Sequence, residues 1–304
     1  MSECIRMLVA LTMAVSTFSF TKPVWSQSNN AADYEVKQVK GGAYTFRYKD
    51  RQAMFVITSG GVIATDPISY GDAGIASRYI SEIRKITAVP IKYVVYSHSS
   101  PDRASGGGEF KDVEGAIFIA HANAKKKIDR QPDGIVPPDE MVAEDTPREI
   151  ELGGVKVVVR SVGRNYSNDM LVVSVPQEKV LFAVDFVPFQ TVPDMSPGWL
   201  PGWEKSLDTL HDSLDGLPDW DTLVPGRRYG NKDRGKKSDV EDLQKYLKAV
   251  STEVQKRVDE CWEFAAKDIK LPDYEKWVNY QSGLPKNVER YCYYWSTSAV
   301  RRGP

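Results

Sequence analysis

The sequence lacks an excess of charge of either sign. Its 304 residues carry 40 Lys and Arg against 41 Asp and Glu, which gives a formal net charge of -1 at pH 7. Proteins that bind nucleic acids usually show a basic excess or a basic stripe, so this balance argues against a nucleic acid as partner. Hydrophobic residues make up 41% and charged residues 27% of the chain. These values are typical of a soluble globular protein rather than a disordered one.

A hydrophobic run long enough to cross a membrane is also lacking. The most apolar segment, residues 7–20, follows Arg6 and contains several Ser and Thr, and it is shorter than the ~20 residues that a membrane helix needs. A basic residue, an apolar run and a cleavage point before Gln27 are typical of a secretory signal peptide. We therefore expect a signal peptide over residues 1–26, a secreted and periplasmic protein, and no membrane span in the mature chain. A buried N-terminal helix or an uncleaved anchor is the alternative.

Cysteine is scarce. Of the three cysteines, Cys4 lies within the predicted signal peptide, and only Cys261 and Cys292 remain in the mature chain. An oxidising compartment would allow these two to form a disulfide. Two buried free thiols are an equally good interpretation, because Cys behaves as a small hydrophobic residue.

The mature chain alternates between strand and helix patterns. Short alternating or β-branched runs predict strands, and apolar residues at steps of three or four predict helices. Two halves, each a set of strands followed by helices, predict two sheets packed face to face with helices outside. The pattern predicts strands within 43–65, 91–96, 116–120 and 155–187, helices over 74–85, 207–214, 238–261 and 287–300, a loop over 129–148 and a rigid aromatic loop over 197–203.

One carboxylate stands out in this pattern. Asp185 interrupts an otherwise apolar run from Val180 to Val187. Because burial of a lone charge is costly, Asp185 is expected to have a partner.

A polar and glycine-rich segment follows the predicted strand 91–96. It reads Tyr96-Ser-His-Ser-Ser-Pro-Asp-Arg-Ala-Ser-Gly-Gly107, and here the chain resembles the metallo-β-lactamase superfamily, which carries His-x-His-x-Asp-His at this place. Further matching segments are Asp66 after an early strand, 163–168, 182–185 and 223–226. The resemblance runs from about Tyr44 to Gly230.

The resemblance implies an α/β fold of a particular architecture, the αββα sandwich. It implies a metallo-β-lactamase-like domain over residues 27–230. The C-terminal residues, 231–304, go beyond the resemblance and are expected to form a helical extension packed on that domain.

The family holds one or two zinc ions at the strand ends, and this chain keeps few of the zinc ligands. Residues that can bind a metal remain only at His98, Asp102 and Asp185, and these are split between the two metal positions. Neither position reaches the three protein ligands that are usual for catalytic zinc. We therefore expect no cofactor, and a hydrolase with one weakly held metal on these three residues is the remaining alternative.

The other four ligand positions carry residues that do not bind zinc there. The family's histidines fall on Ser100, Arg103, Tyr166 and Arg227. An arginine keeps its proton in a protein, so the two arginines oppose metal binding. They can instead form bidentate pairs with the two retained carboxylates and take over the electrostatic role of the metals. The alternative is that both arginines point to solvent.

These observations favour a protein that has lost zinc hydrolysis and binds a small molecule, an anion being one candidate, or serves as a non-catalytic partner. A metal-independent enzyme is the alternative, because His98, Asp102 and Tyr166 offer general acid and base groups. The residues expected to line the cleft and bind the small molecule are Ser100, Arg103, Asp185, Arg227, His121 and Trp199.

Some of these residues also have plainer interpretations. His121 follows the strand 116–120, where it either lines the pocket or caps the next element. Trp199 either walls a cleft or packs locally. His211 is expected at the surface, and the run Lys125–Lys127 is expected to be a solvated helix face.

Overall fold

The structure is a computed structural model that describes residues 34–69, 72, 74–130, 135–261 and 265–296. The described residues all belong to one compact unit. The predicted signal peptide and its cleavage point lie outside the described residues. Within the described part of the chain, no helix is both long and apolar enough to span a membrane.

The first sheet has seven strands in sequence order. Strands β1 to β4 pair antiparallel, as short hairpins do, and β4 to β7 pair parallel. The carboxyl ends of the parallel strands therefore meet at one edge of the sheet. The strands are β1 (Tyr34–Lys40), β2 (Ala43–Tyr48), β3 (Arg51–Thr58), β4 (Gly61–Thr65), β5 (Ile91–Val95), β6 (Ile117–His121) and β7 (Glu140–Val142).

The second sheet has five strands in the order β12-β11-β10-β9-β8. Strands β11 and β12 pair parallel, and the other neighbouring strands pair antiparallel. The strands are β8 (Arg148–Leu152), β9 (Val155–Ser161), β10 (Leu171–Val175), β11 (Val180–Ala183) and β12 (Thr222–Pro225).

The two sheets enclose a shared apolar core. Alternation along β11 shows the arrangement: Val180 and Phe182 belong to a cluster with Ile63 and Val95 of the first sheet, whereas Leu181 belongs to a separate cluster with helical residues. Because side chains alternate across a strand, one face of each sheet packs on the other sheet and the opposite face packs on helices.

Helices cover both outer faces. Tyr79 and Phe110 pack on the first sheet, and Leu207, Leu247 and Val288 pack on the second. The predicted αββα sandwich with C-terminal helices is confirmed. The helices are α1 (Ile75–Ile86), α2 (Pro101–Ala104), α3 (Gly107–Glu114), α4 (Ala122–Ile128), α5 (Leu200–Asp212), α6 (Lys237–Gln255), α7 (Ala265–Asp268) and α8 (Tyr280–Ser296).

Three local predictions need correction. The segment 129–148 is not all loop, because Glu140–Val142 forms the edge strand β7. The aromatic segment 197–203 is not all loop either, since α5 begins at Leu200 and buries Trp203 completely. The last helix begins at Tyr280, seven residues before the prediction, and includes Pro285 in its interior. Proline and glycine normally end a helix, and here tertiary packing outweighs that preference.

Cys261 and Cys292 form a disulfide, with their Cα atoms 5.4 Å apart. The bridge joins the segment after α6 to the C-terminal half of α8. Both cysteines are buried, so the bridge is part of the C-terminal core.

Candidate functional site

Several polar residues meet where strands of the two sheets end. Asp66 follows β4, His98 lies just after β5, Asp185 lies just after β11, and Arg227 follows β12. Because these are the parallel strands of each sheet, their carboxyl ends point to the same edge of the sandwich. A polar site therefore forms at the junction of the two sheets.

Arg103 lies at the centre of this site. The short helix α2 carries it into the sandwich, where its side chain has no exposure to solvent. Its Nη2 donates to Asp185 Oδ1 at 2.6 Å and its Nε donates to Asp185 Oδ2 at 3.3 Å. Its Nη1 donates to the Gly226 carbonyl oxygen at 2.5 Å. Both carboxylate oxygens of Asp185 thus accept from one guanidinium, which is the bidentate geometry of a strong ion pair.

Arg227 forms a second set of ion pairs nearer the surface. Its Nη2 donates to Asp102 Oδ2 at 2.8 Å, its Nε donates to Asp185 Oδ1 at 3.2 Å, and its Nη1 donates to Asp50 Oδ2 at 2.9 Å. Asp102 also accepts from Arg51 Nε at 3.4 Å. Three arginines and three aspartates therefore balance one another in a single network.

The protonation state of Asp185 follows from this network. Burial by itself would raise the pKa of the carboxyl, but the charges of Arg103 and Arg227 hold that pKa well below its usual range. Asp185 also has a φ of 63°, a left-handed conformation that Asp tolerates better than most residues. The carboxylate is thus ionised and directed at Arg103.

Asp66, Ser97 and His98 form a buried chain beside the arginines. Asp66 accepts from the Ser97 backbone N–H at 2.7 Å and from Ser97 Oγ at 2.8 Å. Ser97 Oγ lies 3.1 Å from His98 Nδ1. Burial raises the pKa of Asp66 to about 7, and burial also lowers the pKa of His98. His98 is consequently neutral, and Asp66 titrates near neutral pH.

The remaining nitrogen of His98 is unusual. His98 Nε2 is buried and has no hydrogen-bond partner among the described residues, and Asp185 Oδ2 lies 3.6 Å away. The Tyr166 ring packs edge-on against the His98 ring with centroids 5.9 Å apart. Burial raises the pKa of the Tyr166 phenol, so Tyr166 is a neutral hydroxyl group.

A cleft of about 290 Å³ opens beside this network, and we call it the first cleft. Asp185 and Arg227 reach it, whereas His98 does not line it. The other lining residues form mostly apolar walls, and they are Tyr166, Pro188, Thr191, Val192, Pro193, Asp194, Tyr229 and Asn279.

The other predicted binding residues occupy different positions. Ser100 is the N-terminal flanking residue of α2, and its hydroxyl donates to Asp102 Oδ1 at 2.5 Å. His121 ends β6 and caps α4, because its Nδ1 accepts from the Asn123 backbone N–H at 3.0 Å. The capping interpretation of His121 is confirmed. Trp199 lines a separate cleft, which shares no residue with the first cleft.

One supporting residue was missed by sequence reasoning. Asp169 has a completely buried side chain and accepts from the Ser99 backbone N–H at 3.0 Å and from Lys127 Nζ at 2.6 Å. Burial opposes ionisation, but its hydrogen bonds to Lys127 and to Ser167 and Ser99 lower the pKa of Asp169 to about 2. The prediction that Lys125–Lys127 form a solvated helix face therefore needs correction at Lys127, which is paired with the buried Asp169. The pair ties α4 to the loop that carries His98.

The comparisons with known proteins agree with this fold. The family model described as the metallo-beta-lactamase superfamily matches residues 72–250. The match covers more than half of the chain, and the chain therefore belongs to the metallo-beta-lactamase superfamily. No curated protein matches the sequence.

Solved structures show the same fold at low sequence identity. A metallo-beta-lactamase from Pontibacter korlensis is 19% identical with a TM-score of 0.60, over 71% of this chain and 99% of that one. Metallo-beta-lactamase IND-7 is 19% identical with a TM-score of 0.57, over 70% and 99% of the two chains. A double mutant of the sec-alkyl sulfatase PisA1 is 15% identical with a TM-score of 0.68. That alignment covers 89% of this chain and 52% of the sulfatase.

The residues present do not fit the zinc ions that the resemblance implies. Zinc needs free nitrogen, sulfur or carboxylate donors in a roughly tetrahedral set. Here the carboxylates of Asp102 and Asp185 already accept from Arg103 and Arg227, which are fixed cations. Across the described residues, no group of three or more His, Cys, Asp or Glu is placed to hold a metal ion.

Proposed function

We propose that the protein is a secreted member of the superfamily in which arginines replace the metals, and that it binds a small molecule in the first cleft without zinc-dependent hydrolysis. The observation that carries the proposal is the bidentate pairing of the fully buried Arg103 with Asp185. A guanidinium in this position neutralises the carboxylate that the family uses for metal, and it repels a divalent cation.

The charges around the first cleft support an uncharged polar ligand more than the anion considered from sequence. Arg227 is the one cationic side chain among the described residues that line the cleft, and three aspartates already engage it. Asp194 adds a further negative charge to the lining. Tyr166, Tyr229 and the two prolines offer apolar contact, as ligand clefts usually do.

The disulfide supports the proposed secretion. Cys261 and Cys292 are bridged, and disulfides persist in oxidising compartments such as the periplasm. The bridge therefore supports an oxidising compartment for the protein.

A second candidate, a metal-independent enzyme, rests on the unpaired His98 Nε2. The chain Asp66–Ser97–His98 orients this imidazole, and an oriented neutral histidine is a suitable general base. Tyr166 packs against the His98 ring and also lines the first cleft, so it connects the imidazole to the cleft.

Two assays on the mature chain, residues 27–304, test these candidates. The first measures hydrolysis of a β-lactam, a thioester, a phosphodiester and an alkyl sulfate, with and without added zinc. The proposal predicts no turnover in either condition. Turnover that requires zinc would contradict it, and metal-free turnover abolished by His98→Ala would establish the second candidate instead.

The second assay is a screen of small molecules by thermal shift and calorimetry. A ligand of the first cleft should bind the wild type and lose affinity in Tyr166→Ala. Tyr293→Ala is the matched control, because Tyr293 is an exposed tyrosine on α8. An equal loss of ligand affinity in Tyr166→Ala and Tyr293→Ala would count against the first cleft as the binding site. An unchanged affinity in Tyr166→Ala would count against it as well.

A further inference from the structure

A second cleft, of about 530 Å³, lies between the end of β9 and the start of α5. Its volume is within the range of small-molecule sites, and it shares no lining residue with the first cleft. The residues used below are Arg160, Arg164, Trp199 and Lys205, together with the acidic residues of the lining.

The lining of the second cleft includes a buried cation, Arg160, that has no counterion among the described residues. Arg160 is 9% exposed. Its Nε donates to the Ser161 carbonyl oxygen at 3.2 Å, and its Nη1 donates to the Asp215 carbonyl oxygen. Neither carbonyl carries a charge, and no ion pair joins Arg160 to a carboxylate within the described ranges. Buried arginines are normally paired, so this guanidinium is suited to an anion that enters the cleft.

Two further cations, Arg164 and Lys205, line the second cleft. The Arg164 guanidinium stacks on the Trp199 ring at 5.1 Å from the centroid, which leaves its edge N–H groups available as donors. Lys205 on the first turns of α5 lines the same cleft. Neither Arg164 nor Lys205 has an ion pair in the part of the chain that the structure describes.

An aromatic surface accompanies these cations. Trp199 is 45% exposed, whereas tryptophan side chains are highly buried on average. Exposed Trp beside unpaired arginines is a combination that binds amphipathic ligands, because the ring contacts an apolar body while the guanidinium binds the polar end.

The acidic residues of the lining limit the charge of the ligand. Glu144, Asp145 and Asp215 also line the second cleft, and all three are exposed. The Glu144 carboxylate already contacts His121 Nε2 at 3.0 Å and accepts from Ser161 Oγ at 3.1 Å. Exposed carboxylates repel a polyanion but leave a single negative charge at the buried Arg160 favourable.

We propose that the second cleft binds an organic monocarboxylate, with the carboxylate on Arg160 and Lys205 and an apolar or aromatic body against Trp199. This site is independent of the ligand proposed for the first cleft.

The test uses benzoate and phenylacetate as probes, with benzamide and phenylacetamide as neutral isosteres and inorganic phosphate as a plain anion. Calorimetry on the mature wild type should show binding of the carboxylates and not of the amides. Arg160→Gln should weaken carboxylate binding by roughly tenfold or more, the usual loss for a hydrogen bond to a charged group. Arg78→Gln is the matched control. Arg78 is an exposed arginine on α1, and it does not line the second cleft.

Two exposed positions keep the test valid if Arg160→Gln fails to fold. Trp199→Ala and Lys205→Gln should each weaken carboxylate binding in a folded protein. Equal binding of carboxylates and amides would overturn the proposal, as would an absence of carboxylate binding. Phosphate binding that equals benzoate binding would overturn the assigned ligand class. A loss in Tyr166→Ala with none in Trp199→Ala would place the site in the first cleft and overturn the proposal as well.

Discussion

Arg103 remains charged although no part of its side chain reaches solvent. Burial disfavours the cation, but the charges of Asp185, Asp66 and Asp102 raise the pKa of Arg103. The two hydrogen bonds to Asp185 fix the guanidinium in position. Each buried charge of the network therefore depends on the others.

Replacement of Arg103 should therefore lower the unfolding free energy strongly. Arg103→Met removes the buried cation and both of its hydrogen bonds to Asp185, so that Arg227 is the one arginine left in contact with the buried carboxylate among the described residues. This loss should cost about 3–5 kcal/mol of unfolding free energy. Urea unfolding of the mature chain measures the effect. Adding Asp185→Asn to Arg103→Met should recover part of the loss, because the poorly neutralised buried charge is then gone.

The control for this experiment is Arg78→Met. Arg78 is 48% exposed and its ion pair with Glu82 is long, at 4.0 Å, so the substitution should change stability little. If Arg103→Met and Arg78→Met were equally mild, the buried network would not be a significant source of stability.

Arg227 should contribute less than Arg103. Its side chain is 32% exposed, and water can solvate the aspartates that it leaves behind. Arg227→Ala should lower the unfolding free energy by about 1–2 kcal/mol, near the usual value for a charge-assisted hydrogen bond. An unchanged melting temperature in Arg227→Ala would contradict the proposed role of this arginine.

Asp66 gives the network a pH dependence. Burial raises the pKa of folded Asp66 to about 7, whereas an unfolded Asp titrates near about 3.9. Between these values the folded protein holds a proton that the unfolded chain has released. The contribution of Asp66 to stability therefore falls as the pH rises through this window and is constant above it.

Asp66→Asn should remove that dependence. The unfolding free energy of the variant relative to wild type should rise by a few kcal/mol as the pH increases from about 3.9 to about 7. The size of this rise is proportional to the pKa difference between folded and unfolded Asp66. Urea unfolding of both proteins at several pH values measures the change. If the difference in unfolding free energy between wild type and Asp66→Asn stayed constant across this pH window, Asp66 would be ionised over the whole window in the folded protein.

The C-terminal helices are linked by a disulfide. The Cys261–Cys292 bridge closes a segment of 31 residues and holds α8 against α6. Substituting both cysteines with Ala should cost about 3–4 kcal/mol, as expected for a loop of this length. Thermal unfolding of the double variant checks this, with the reduced wild type as comparison. Identical melting temperatures for oxidised wild type and double variant would contradict it.

Element types were easier to predict than element ends. The apolar spacing of Ile75, Tyr79 and Ile83 predicted α1 almost to its limits. In contrast, α5 begins within a Pro-Gly segment because Trp203 packs in the core, and this contact depends on residues far along the chain. The sequence could not decide between a disulfide and two free thiols for the same reason. A spacing of 31 residues along the chain does not determine the distance between the two Cα atoms.

Local sequence predicted the polar site at the strand ends but gave no sign of the second cleft. Asp185 was predicted to need a partner from its place in an apolar run, and Arg103 and Arg227 were found at the family's ligand positions. The second cleft had no such motif. Arg160 lies within the alternating strand β9, and only the folded structure shows that, among the described residues, no carboxylate forms an ion pair with it. The Lys127–Asp169 pair was missed because 42 residues separate its members.

The central claim is that arginines take the place of the metals, and metal content tests it most directly. The mature protein would be purified without chelator and measured by elemental mass spectrometry before and after exposure to zinc, with its melting temperature recorded in both states. We predict no stoichiometric zinc and an unchanged melting temperature, because Arg103 and Arg227 already pair with Asp185 and Asp102. Near-stoichiometric zinc that survives gel filtration and raises the melting temperature would contradict the account.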